Sequence, residues 1–244
     1  MSGPQAEPRP DASVPLPGDW ALEPTLNGTL VQIEPLRRAH HGALAEAAAA
    51  PEIWAGGWFY DLSCRAHFDT WFYSRLLAAG SGESFHFVIT AQASGAVIGS
   101  TAFTEIRRQD RGLAIGWSWL HPQEWGSGAN LEAKLLLLEY AFERLGCIRV
   151  AFDSDLDNHR SRAALSALPA RFEGVAHNFK VRPGDGSKRS FACYAITDDD
   201  WPEVAANLRR RLAAKGVRPP SAPRSDAARN LKAARVPALS EVRR

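Results

Sequence analysis

Cysteine is scarce in this chain. Three occur in 244 residues, Cys64, Cys147 and Cys193, an odd number at wide spacing. That argues against a disulfide framework and against a zinc site of C-x-x-C type, and leaves three small apolar side chains with free thiols. Long apolar runs are missing as well. No window reaches the about eighteen consecutive apolar residues of a membrane span, and the N-terminus shows no basic region followed by a hydrophobic stretch, so a soluble, cytoplasmic protein is expected. His40, His41, His86 and His177 lack a ligand-spaced partner at i+4 on an expected helix, so no metal is expected. The absence of a G-x-S-x-G elbow leaves a hydrolase reading little support. Charge of one sign is also lacking, since the net charge is only +2. The balance is uneven, however. Residues 215–244 hold eight Lys/Arg against two Asp/Glu, a tail of +6 on a body of −4. A slightly acidic body argues against a specific nucleic-acid-binding domain.

What the chain does have is one strongly organised stretch. Leu113 to Leu120 is apolar and aromatic, bounded by Gly112 and Pro122, and reads as a strand. Leu131, Leu135, Leu138, Phe142 and Leu145 recur at helical spacing. Between them lies a loop with Gly126 and Gly128, where a ligand can approach the backbone and the amides of Ser127 to Asn130 are expected to point out of the helix start. Such a terminus suits a pyrophosphate. Read alone, G-x-G is equally a joining turn. It is no P-loop, because no Gly-Lys-Ser/Thr follows, and no dinucleotide fingerprint, because the third glycine is missing.

The run Gln123-Glu124-Trp125-Gly126-Ser127-Gly128-Ala129-Asn130, after Ile115-Gly116-Trp117-Ser118-Trp119-Leu120 and before the Leu-rich helix, resembles the acetyl-CoA-binding motif of the GNAT superfamily of N-acetyltransferases. The RimJ/RimL-like branch, similar to ribosomal-protein N-terminal acetyltransferases, matches further segments in order. These are Leu26 to Val31 with Glu34-Pro35-Leu36, Val97 to Thr101, Asn158-His159-Arg160-Ser161-Arg162, and Arg171-Phe172-Glu173-Gly174. The resemblance covers roughly residues 22–212. It implies an α/β fold of α+β type, with a central mixed, mostly antiparallel sheet splayed at the cofactor site and flanked by helices. It also implies acetyl-CoA as cosubstrate and an amine acceptor, either a protein N-terminus or a small molecule. A homodimer is an expectation by analogy only.

Three regions are expected: a disordered, Pro-rich leader at 1–21, the domain at 22–212 and a basic flexible tail at 213–244. Within the domain, Thr29 to Glu34 reads as a strand and Arg37 to Ala50 as a helix stopped by Pro51. Cys64 to Ala79 reads as a second helix, with Phe68, Phe72 and Leu76 on one stripe. Phe85 to Ala91 and Ala96 to Ile106 read as a hairpin. Cys147 to Phe152 followed by a helix at Ser161 to Leu168 gives a second strand-helix unit, so two adjacent parallel strands are expected, with the cofactor where they splay. Arg171 to Val175 and Phe191 to Ile196 read as closing strands, and Trp201 to Leu212 as a last helix.

The resemblance assigns roles residue by residue. Cofactor contacts fall on Trp117, Ser118, Trp119 and Leu120 through their backbone, on Trp125, Gly126, Ser127, Gly128, Ala129 and Asn130 in the loop, and on Asn158. From the residues alone Asn158 is equally a helix N-cap. Ser161 is expected to protonate the departing thiolate. The loop bearing Trp54, Trp58, Phe59 and Tyr60 is expected to shape the substrate pocket, although an aromatic cluster under a loop is the plainer reading. Relatives often carry an acidic residue where this chain has Ala114. Glu105 on the preceding strand and His121 at the strand end are the candidate bases, with bulk water as a third acceptor of the proton. Rival readings are a non-catalytic acyl-CoA-binding regulatory module and a ribosome- or RNA-associated interaction protein.

Overall fold

A computed structural model describes residues 20–55, 61–182 and 185–217. In chain order the elements are β1 (Leu26–Asn27), β2 (Val31–Pro35), α1 (His41–Ala48), α2 (Arg65–Gly80), β3 (Phe85–Ala91), β4 (Val97–Arg107), β5 (Gly112–Leu120), α3 (Ala129–Glu139), β6 (Arg149–Asp155), α4 (His159–Ala167), β7 (Arg171–Val181), β8 (Lys188–Thr197) and α5 (Trp201–Ala214). The strands form one sheet in the order β1-β2-β3-β4-β5-β6-β8-β7. Neighbours are antiparallel except β5 and β6, which run parallel. The mixed, mostly antiparallel sheet flanked by helices is as the sequence leads one to expect.

Two layers of helices sandwich part of this sheet. On one face α3 and α5 pack against Val31, Ile33, Phe87, Leu113 and Ile115 through Leu135, Leu137, Leu138, Leu208 and Leu212. On the other face α1 and α2 cover Val88 and Trp119 with Leu44, Phe68 and Phe72. Burying each such side chain contributes about 1.5–3 kcal/mol, and the alternation along the strands decides which layer each residue joins. Toward β6, β8 and β7 the second face is open, and β7 exposes Phe172, Val175, Phe179 and Val181.

Several boundaries differ from the expected ones. The stretch from Arg37 splits into a 3-10 turn, Arg38–His40, and the shorter α1. The closing strands are longer, since Lys180 pairs with Arg189 and Val181 with Lys188. Their added residues show no apolar alternation with burial, since Phe179 and Val181 are exposed while Arg189 is buried. Helix α5 runs past Leu212 to Ala214 and Val217 is buried, while Trp20 is buried ahead of residue 22. The packed domain therefore reaches beyond both expected ends.

Helix α3 is buried nearly all round, polar residues included. Glu132 is fully buried and its carboxylate accepts the backbone N–H groups of Thr29 (2.8 Å), Leu30 (2.6 Å) and Val31 (2.9 Å). A Cβ at Gly28 would lie 2.4 Å from that carboxylate, so only glycine lets the turn between β1 and β2 close onto α3. The helix ends in a wider π-type turn, Tyr140–Arg144.

Candidate active site

Strands β5 and β6 pair only from Gly112 with Arg149 to Ala114 with Ala151. Beyond that they part, and the cause lies in β5. Against β4, Gly116 faces Ala102 and Trp119 faces Ser100, so Trp117 and Ser118 together stand opposite Thr101. Trp117 takes φ 52°. A bulge of this kind bends its strand and increases the twist, which here turns β5 away from β6 and opens a cleft along Gly116 to Leu120. Ser118 is exposed there, and its Oγ hydrogen-bonds Thr101 Oγ1 (2.8 Å) and accepts from Lys134 Nζ (2.6 Å). Burial holds the Lys134 ammonium well below the usual lysine range, at about 7. The side chains of Trp119 and Leu120 are buried in the core, so those two residues offer the cleft only their backbone.

The loop from β5 to α3 forms one wall. Trp125 Nε1 donates to the Leu120 carbonyl (2.9 Å), and the Ser127 N–H (3.2 Å) and Oγ (2.8 Å) donate to Glu124 O. Ala129 N–H donates to Ser127 Oγ (3.1 Å). Two of the four amides expected to face a ligand are thus already engaged inside the loop. Among the described residues no hydrogen bond reaches the amides of Gly126, Gly128, Asn130 or Leu131. The two glycines serve different ends. Gly126 (φ 80°) is exposed, with open space where a Cβ would be. Gly128 (φ 109°) is buried, and its Cβ direction meets Leu30 at 3.1 Å and Lys215 at 3.4 Å. Close approach of a ligand is therefore possible at Gly126, whereas Gly128 is required by its left-handed backbone and by packing.

The opposite wall is the start of α4. Asn158 caps the helix, its Oδ1 accepting from Ser161 N (3.0 Å), so the capping reading holds. Just before it, Asp155 forms a buried ion pair with Arg189 (2.5 Å) and accepts Asp157 N–H (2.9 Å), fixing the turn from β6 into α4. Arg160 in the first turn of α4 stacks on Trp125, its guanidinium carbon 3.3 Å from the ring centroid, and so links the two walls.

At the point where β5 and β6 begin to part, a depression of about 150 Å³ opens on the sheet face away from α3. Glu105, Ala114, Ala151, Asp153, Phe179 and Tyr194 line it. Glu105 sits in a second bulge, with φ 48°, between the Thr104 and Arg107 pairings, and Arg107 Nη1 is 3.7 Å from its carboxylate. The other acids are more closely tied. Asp153 accepts from Lys180 Nζ (3.1 Å), and Glu173 takes both terminal nitrogens of Arg149. His121 lies at the far end of β5, roughly 20 Å from Ala114 at strand rise, with Nδ1 accepting from Gln123 N. Only Glu105 of the two candidate bases therefore shares the depression with Ala114.

Trp54 is 5% exposed, donates Nε1–H to Ala48 O (2.8 Å) and packs edge-on against Trp119. For this residue the plainer reading, an aromatic cluster under a loop, is the one realised. Trp58, Phe59 and Tyr60 lie outside the described residues. Of the charged residues on helices that meet the site, Arg75 falls on one row of α2 with Trp71 and Ala79 at four-residue spacing, whereas Lys134 sits among the leucines of α3, where the residue pattern gives no sign of a buried ammonium.

Residues 31–170 match the acetyltransferase (GNAT) domain. The chain belongs to the GNAT acetyltransferases. A structure from T. thermophilus bearing an acetyltransferase description is 33% identical, with 80% of this chain and 100% of that one covered at a TM-score of 0.66. Mycobacterium smegmatis RimJ, solved in complex with CoA-disulfide, is 23% identical over 81% of this chain and 95% of that one, at a TM-score of 0.64; at this identity the likeness is one of fold. An uncharacterized N-acetyltransferase, p20 of Bacillus licheniformis, is 27% identical over 103 residues, 42% of this chain and 57% of that protein's length. The GNAT family uses acetyl-CoA. Among the described residues of this GNAT chain no group of three or more His, Cys, Asp or Glu is arranged to hold a metal, and no helix is long and apolar enough to cross a membrane.

Proposed function

We propose that the chain transfers acetyl from acetyl-CoA directly to a primary amine, as a soluble cytoplasmic enzyme of the RimJ/RimL-like branch, with residues 22–212 at least forming the working domain. The acceptor is a protein N-terminus or a small amine, and a homodimer is part of the proposal by analogy. The observation that carries it is the cleft: a bulge at Trp117 parts β5 from β6 and leads to a loop with unengaged amides. Those residues fit a CoA thioester. Amides of Gly126, Gly128, Asn130 and Leu131 at the start of α3 suit a pyrophosphate, and the free edge of β5 from Gly116 to Leu120 suits the amide-bearing arm, with Asn158 across the cleft.

Acetyl-CoA supplies the activated acetyl group. Within the chain, catalysis rests mainly on orientation and on backbone N–H groups aimed at the carbonyl oxygen. Glu105 receives the amine proton from the depression beside Ala114, standing in for an acidic residue at that position. Ser161 Oγ, on the α4 side, holds the proton that the leaving sulfur takes.

Titration calorimetry of the protein with acetyl-CoA and with free CoA is the first test. Binding of both supports the site, whereas binding of neither refutes it. Glu105→Gln should then lower kcat by about 10²-fold or more without altering CoA affinity. Equal turnover in that variant would remove Glu105 and leave bulk water as the proton acceptor.

A further inference from the structure

Helix α2 packs on β3 through Trp71 and Arg75, one helical turn apart. What they meet are the rings of His86 and Trp117. Trp71 stands edge-on to His86, ring centroids 5.8 Å apart, and the Arg75 guanidinium lies 5.1 Å from the centroid of Trp117, which in turn touches His86 at 5.9 Å. Among the described residues Trp71 Nε1, both ring nitrogens of His86 and Ser84 Oγ are buried without a hydrogen-bond partner. Each such group costs roughly 1–3 kcal/mol, and nearly all buried polar groups in folded proteins avoid that cost. Their concentration between two packed elements marks a site built to be satisfied by something else.

The sign of the site is positive. Arg75 is half-buried with no carboxylate at ion-pair distance among the described residues; Glu83 acts on it only at longer range. Burial and then the charge of Arg75 push His86 down to about 3, so its ring is neutral and one nitrogen is a donor. Indole N–H, imidazole N–H, hydroxyl and guanidinium together repel an ammonium group and fit an oxygen anion.

The site also lies on the path to the cleft. His86 pairs across the sheet with Ala102, and Ala102 with Gly116, so the three share one face. At Gly116 an added Cβ would meet only Thr104 Oγ1, at 3.8 Å. Between His86 and the β5 bulge, two strand spacings or roughly 10 Å, this face carries only the small side chain of Ala102, itself fully buried, and the open position at Gly116. The next residue of β5 on that face is Ala114, beside Glu105.

We propose that Trp71, Arg75 and His86 bind a carboxylate of the acceptor, which makes the acceptor an amine of the amino-acid class rather than a simple or polycationic amine. Its amine lies toward Gly116 and Glu105, and its carboxylate enters under α2 beside Arg75. This rests on the acetyl-transfer reading above.

The test uses matched acceptors at two amine-to-carboxylate spacings: leucine, leucinamide and isopentylamine, and 4-aminobutyrate, 4-aminobutanamide and propylamine. Turnover with acetyl-CoA is read by product mass, and binding to the CoA-saturated protein by calorimetry. In at least one set the free acid should exceed its amide and its decarboxylated amine by about tenfold or more in kcat/KM. Arg75→Gln should erase that gap through KM while leaving acetyl-CoA affinity unchanged, and Arg75→Lys should restore part of it. Acids no better than amides in both sets, or an equal loss for all acceptors in Arg75→Gln, would overturn the proposal. If acetyl-CoA binds but no amine is acetylated, calorimetry still decides. Acid binding that depends on Arg75 sustains the carboxylate site while the transfer reading fails, and no acid binding removes the site.

Discussion

The buried charges beneath α3 and the ring nitrogens where α2 meets β3 are treated in opposite ways. Beneath α3 each buried charge has its partners: Glu132 takes three backbone N–H groups, and Lys134 donates to Ser118. Asp155 and Arg189, at the β6 end beside α4, close on each other. Beneath α2, the Trp71 indole and His86 imidazole nitrogens are buried without a hydrogen-bond partner among the described residues. The first arrangement fixes the β1–β2 turn to α3, α3 to β5 and the start of α4 to β8. The second gives up stability where an acceptor would be read, as sites built for binding often do.

The comparison can be broken first at its strongest point. Asp155→Ala strands a buried guanidinium and removes the anchor of α4, and should cost about 3–5 kcal/mol in urea denaturation. Glu132→Gln keeps the shape but opposes an amide group to the three N–H donors, with an expected loss of about 2 kcal/mol. Lys134 sharpens the contrast because its partner does not repay its burial. The folded state holds the ammonium at about 7, below the unfolded value, so between those values the unfolded chain binds the extra proton. Stability therefore rises with pH across that window, and the full penalty applies below it. Lys134→Met should stabilise the fold by about 1–3 kcal/mol at pH 6 and by clearly less at pH 9.5. A gain independent of pH would show that the amine is not the cause. The smallest effect belongs to the other face. His86→Leu relieves two unpartnered ring nitrogens but forfeits the ring contacts with Trp71 and Trp117, and the two effects should leave stability within about 1 kcal/mol of the parent, although acceptor affinity falls. A large loss there would mean that His86 is structural.

Much of this arrangement is legible in the residues. The strand-loop-helix from Gly112 to Leu145, the hairpin before it and the parallel pair follow from periodicity and glycine placement. The bulge at Trp117 does not, because it exists only in the pairing of β5 with β4. Glu132 and Lys134 interrupt the apolar run of α3, and their burial is evident only once the β1–β2 turn meets Glu132 and Ser118 of β5 meets Lys134. Asn158 is a case where the residues allow two readings and the structure realises the helix cap through Oδ1. Glu105 is nameable from its strand, but its aim beside Ala114 depends on a left-handed backbone that no pattern announces.

Lys215 reaches from just past α5 to the carbonyl of Gly126 (2.9 Å), and with Leu212 it backs Gly128. The loop amides are thus braced by residues more than eighty positions later in the chain. Anything that pulls on the stretch after α5, a bound partner or a proteolytic cut near Lys215, is transmitted to the cleft as a change in how firmly the loop is held. On the proposed reading of the loop, acetyl-CoA affinity should then change with the state of the chain just past α5, which makes the end of the last helix a lever on the loop.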